Sequence, residues 1–209
     1  VQTCALPILI PELKPPTVVL AFIADDISRT ALSVRDAKEK PFFVPDGDGL
    51  ALRNVPVQVT GRSSFMTAAR RILGYSRLVD RIVTQLGVQQ AWYGREIGTG
   101  VDPFLVSCRL MHRFAALVKR EHVEALVVAL PEQGVFFDAK AAAGQHEALT
   151  EVLGCAAKAG LPTLDTLAAF ETENVGRHID SYYTMMHFTD RSGAIAARSI
   201  AAALAAREK

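Results

Sequence analysis

The sequence predicts a three-layer α/β domain around a parallel sheet, and three observations predict it. Residues 17–24 and 123–130 are apolar runs without polar alternation, as expected of strands covered by helices on both faces. Helical patterns lie between and after them. The resulting order of strand, helices, strand, helix, short strand and helix suits parallel strands joined by crossovers.

Composition bounds the rest. The chain has 209 residues, 50% of them hydrophobic, which is enough for one domain with a sizeable core. A net charge of +1 and a pI near 7.9 argue against a dedicated nucleic-acid or anionic-membrane surface. The apolar run at residues 18–24 is far too short to span a membrane. Cys4, Cys108 and Cys155 are too few and scattered for a disulfide framework or a zinc site. Cys108 and Cys155 fall in helical patterns and read as small core residues. That usage leans intracellular, yet a removed leader would leave no trace, so a cytoplasmic and an exported protein both stay open.

Taken in order, residues 1–8 (Val1-Gln2-Thr3-Cys4-Ala5-Leu6-Pro7-Ile8) match, codon for codon, the translation of a common sequencing-library adapter. They are expected to stand outside the fold, leaving residues 9–209 as one domain cut at its front. Residues 11–16 form a Pro-rich lead-in, and residues 17–24 the first strand. Asp25 and Asp26 follow at its carboxyl end, the edge where open α/β sheets bind ligands. Two adjacent carboxylates there suit a metal, an acid/base pair, or the cap of a helical turn. Residues 28–61 are irregular apart from a hairpin insertion near 41–57, turning at Asp46-Gly47-Asp48-Gly49. That turn lacks the Glu that would end a calcium loop.

Residues 66–86 have a helical pattern with an arginine-rich wet face and a bend at Gly74. Residues 87–103 read as a loop in which Trp92 and Tyr93 could line a cleft. A helix over 104–121 would bury Leu105, Cys108, Leu110, Met111, Phe114 and Leu117. The second strand ends in Pro131-Glu132-Gln133-Gly134, again facing the ligand edge. A helix over 144–159 would turn Leu149, Val152 and Ala156 inward, with Gly160 as C-cap. Residues 161–165 form a short strand into a turn. Finally, His187 stands just before a helix that Thr189 or Asp190 can cap, with Ile195, Ile200 and Leu204 near one face.

Two blocks carry a resemblance. His187-Phe188-Thr189-Asp190-Arg191-Ser192-Gly193 and the helix after it resemble the last block of the SGNH/GDSL hydrolases. Residues 17–27, ending Ala24-Asp25-Asp26-Ile27, resemble the family's third block, a strand running into a Gly-x-Asn-Asp-type turn. The resemblance implies a flavodoxin-like α/β/α sheet lacking its first strand and nucleophile helix, because no Gly-Asp-Ser occurs in the sequence. It also implies a serine esterase acting on a small-molecule, carbohydrate or lipid ester, without cofactor or metal. His187 would be the general base. Asp25 would take the place of the oxyanion-hole Asn, a role a carboxyl group can fill only when protonated, and Asp26 stands beside it. The acid expected three residues before the histidine is Thr184, which leaves Asp180, Asp165 or a backbone carbonyl to orient the ring. Those departures equally suit a non-catalytic binding module of the same fold. An unrelated flavodoxin-like binding domain, with His187 incidental, is the third alternative.

Overall fold

The computed structural model describes residues 6–57, 72–73, 76–88, 92–93, 95–184 and 187–207. The chain forms two compact units, one of Val1–Ile27 with Ser107–Lys209 and one of Ser28–Val106.

The first unit carries a mixed α/β fold around a three-stranded parallel sheet, in the order β1 (Thr17–Phe22), β7 (Glu124–Ala129), β8 (Thr163–Asp165). Leu20 and Thr163 both sit opposite Val127. Five consecutive residues of β7, Ala125 to Ala129, are buried. A central strand covered on both faces has no use for polar alternation, which explains its unbroken apolar run. The edge strand β1 differs from expectation. Leu20 and Phe22 are buried while Val19 and Ala21 are exposed, so its apolar run is covered on one face only.

Helix α4 (Pro103–Glu121) leads into β7, and α5 (Ala139–Lys158) connects β7 to β8. α4 buries Val106, Leu110, Met111, Phe114, Leu117 and Val118. Leu110, Met111, Phe114 and Leu117 are buried as expected, but Leu105 is 39% exposed and Val106, one turn before Leu110, is fully buried in its place. α5 begins five residues before the expected start: the Asp138 carboxylate accepts the Lys140 and Ala141 N–H groups and opens the helix there. At its end Gly160 takes φ +82° and Leu161 N–H returns to Ala156 O, the left-handed stop expected of a glycine.

A disulfide joins Cys108 of α4 to Cys155 of α5, with their Cα atoms 5.2 Å apart. This corrects the reading of both cysteines as free core residues. Their pairing depends on two crossover helices lying side by side, which residue spacing does not reveal.

Helix α1 (Leu6–Leu13) begins inside the stretch set aside as adapter and ends within the expected Pro-rich lead-in, with Pro11 inside it and Ile10 buried. After β8 come α6 (Leu167–Thr172), the short α7 (Ile179–Tyr182), the hairpin of β9 (Tyr183–Thr184) and β10 (His187–Phe188), and α8 (Asp190–Ala205). Neither Thr189 nor Asp190 caps α8 through its side chain. Asp190 is the first helical residue, and the Thr189 hydroxyl instead donates to the Ser181 and Tyr182 carbonyls.

In the Ser28–Val106 unit, β2 (Leu32–Arg35) pairs with β3 (Lys38–Glu39) and β6 (Ile97–Gly98), elements unmarked by any hydrophobic run. The expected hairpin is β4 (Phe42–Asp46) against β5 (Gly49–Arg53), with Asp46 opposite Gly49 and Gly47 at φ +53°. Of the helix expected over 66–86, α3 (Arg77–Gln85) is observed, capped by the Ser76 hydroxyl. Residues 66–71 and Gly74 lie outside the described residues. Tyr93 donates to the Asp80 carboxylate at 3.0 Å. No helix among the described residues is long and apolar enough to cross a membrane.

Candidate functional site

The carboxyl ends of β1 and β7 meet in register, Phe22 opposite Ala129, with Leu130 N–H bonded to Phe22 O. Counting three residues past each strand end brings Asp25 and Glu132 to corresponding positions. The backbone N–H of Asp25 donates to the Glu132 carboxylate. Asp25 and Asp26 lie in the first turn of α2 (Ala24–Thr30), and the Asp26 carboxylate accepts the Ile23 N–H at 3.2 Å. Asp26 therefore makes the turn-closing contact that an acid at this point commonly makes.

Glu132 is held in place from its own backbone as well, its N–H donating to Gln145 Oε1 at 3.2 Å. Its pKa is raised above the ordinary carboxylate value. Burial is the main cause, the charges of Asp25 and Asp26 add to it, and the Asp25 N–H opposes it.

The aromatic cluster beyond the strand ends fixes the hairpin that bears His187. The buried Tyr183 hydroxyl donates to Pro131 O at 2.8 Å. Burial raises the Tyr183 pKa and the Glu132 charge raises it further, so the hydroxyl remains a neutral donor. Its ring meets Phe188 edge-on at 5.3 Å and Phe136 at 6.0 Å, and Phe170 closes the group at 5.3 Å from Phe188. Ser192 donates to Tyr182 O and binds the start of α8 to the same cluster.

The hairpin register decides how His187 is presented. Tyr183 pairs with Phe188, and His187 with Thr184. Successive strand residues point to opposite faces, so Tyr183 and Phe188 turn inward while Thr184 and His187 share the exposed face. Among the described residues His187 has no carboxylate partner. Asp180 lies exposed in α7, and the Asp165 carboxylate accepts the Leu167 N–H at the start of α6. The fold thus gathers Asp25, Asp26 and Glu132 at one sheet edge and anchors the His187 hairpin to the same loop, without joining His187 to an acid.

No family model matches the sequence, and comparison with curated proteins and with solved structures found no similar chain.

The sequence places the Pro131-Glu132-Gln133-Gly134 loop at the ligand edge but marks neither Glu132 itself nor Tyr183. The available signal was the equal offset of Asp25 and Glu132 from two apolar runs, which becomes meaningful only once those runs are paired in register. Among the described residues no group of His, Cys, Asp and Glu side chains is arranged to hold a metal ion.

Proposed function

We propose that this chain is the histidine-bearing part of an SGNH/GDSL-type serine esterase whose nucleophile is encoded upstream of Ile10. Its substrate would be a small-molecule, carbohydrate or lipid ester. The observation that carries the proposal is the Tyr183–Pro131 hydrogen bond, which holds the hairpin bearing His187 against the loop that follows β7, beside the turn of Asp25 and Asp26. Two blocks far apart in sequence thereby converge on one sheet edge. The terminal position of β1 adds support, because a further strand could pair along its outer backbone edge, and the exposed Val19 and Ala21 leave a sheet face for a covering helix.

In this mechanism a serine hydroxyl attacks the ester carbonyl, passes its proton to the exposed His187 imidazole, and the imidazolium returns it to the departing alcohol. Asp180 would orient the ring. Asp25 would face the oxyanion as a neutral carboxyl, or the oxyanion would rest on backbone N–H groups near the serine. A second reading, a non-catalytic ligand-binding module of this fold, is favoured by the lack of a carboxylate partner for His187 among the described residues.

Hydrolysis of a short acyl ester by the chain expressed with its upstream coding sequence separates the two. The esterase is expected to lose roughly 10²–10⁴-fold in rate in His187→Ala, and less in Asp180→Asn. Equal rates for the parent and His187→Ala would sink the proposal.

A further inference from the structure

The Cys108–Cys155 bridge spans a sequence separation of 47 residues, and that interval contains β7, the Glu132 loop and most of α5. Both cysteines are half-buried, so a small dithiol can reach them, while Val106 and Val152 pack fully buried close by in sequence. Cross-linking two helices across such an interval restricts the unfolded chain far more than the folded one. We propose that this bridge is a redox clamp on the central strand, formed where the surroundings are oxidising and released where they are reducing.

Formation consumes one glutathione disulfide: the two thiols lose two electrons and two protons, the Sγ–Sγ bond forms, and two glutathione thiols result. A dithiol such as dithiothreitol reverses it by exchange, becoming a cyclic disulfide as both cysteine thiols are restored.

The test uses the full chain carrying Cys4→Ser, which leaves only the two cysteines in question. After equilibration with glutathione disulfide, no thiol is expected to titrate under denaturing conditions, and two are expected after dithiothreitol. Reduction should lower the melting temperature by about 10 °C and speed amide hydrogen exchange in β7. The double variant Cys108→Ser/Cys155→Ser should melt like the reduced chain and ignore dithiothreitol. Free thiols after oxidation overturn the proposal, and so does an unchanged melting temperature and β7 exchange on reduction. The reduction measurement stands alone if the double variant does not fold.

Discussion

In the unit with the parallel sheet, Leu126, Val127, Val128 and Ala129 are at most 1% exposed, and Phe170 and Val175 are fully buried. In the Ser28–Val106 unit, Leu78, Ile82 and Leu86 stand at spacings of four along α3 and its end, yet they are 69%, 45% and 69% exposed. Both stretches are apolar, but only the first is enclosed. The contacts differ in reach as well. β1 and β7 pair across about a hundred residues of chain, whereas in the second unit β2 and β6 pair across about sixty-five and β4 and β5 through a two-residue turn. Long-range pairing is worth its entropic cost only where a shared core rewards it. A single side chain should therefore matter more where the apolar stretch is enclosed.

The sharpest way to break that contrast is to truncate one side chain in each unit. Phe170→Ala empties a fully buried site that touches Phe136 and Phe188, and should cost about 3–5 kcal/mol in denaturant unfolding. A cost below about 1 kcal/mol would mean the aromatic cluster is not a core.

A smaller, pH-dependent effect is expected at Glu132. Its folded pKa lies above its unfolded one, so the folded state holds the extra proton. Stability therefore falls as pH rises from the ordinary carboxylate range through the raised value. Glu132→Gln retains an oxygen for the Asp25 N–H and removes the charge. The variant should show a flatter stability curve over that window and lose nothing at neutral pH. An unchanged slope would show that neither burial nor the neighbouring Asp25 and Asp26 raises the Glu132 pKa. The smallest effect belongs to α3: Leu78→Ala, at an exposed site, should stay within about 0.5 kcal/mol of the parent, measured by the same denaturant titration.

Features settled by neighbouring residues were legible in the sequence. The β4–β5 hairpin follows from its Gly/Asp turn, the end of α5 from Gly160, and the two long strands from their apolar runs. Features settled by packing were not. Val19 reads like Val127 in sequence, yet one lies on an edge strand and the other in the centre. The bridge between Cys108 and Cys155 needs two helices to be neighbours. Leu105 and Val106 are adjacent apolar residues, and only packing shows that Val106 is the enclosed one. At the candidate site, Asp25 and Asp26 were marked by their strand, and His187 by its helix, but the inward turn of Tyr183 and the outward turn of His187 depend on hairpin register.

The matched offset of Asp25 and Glu132 carries a consequence for how this edge can change over time. The ladder between β1 and β7 counts both acids into place, so their closeness is a matter of loop length before it is one of side-chain chemistry. Exchanging either acid for another polar residue leaves the count intact. Adding or deleting one residue between Phe22 and Asp25, or between Ala129 and Glu132, would part them more surely than any substitution.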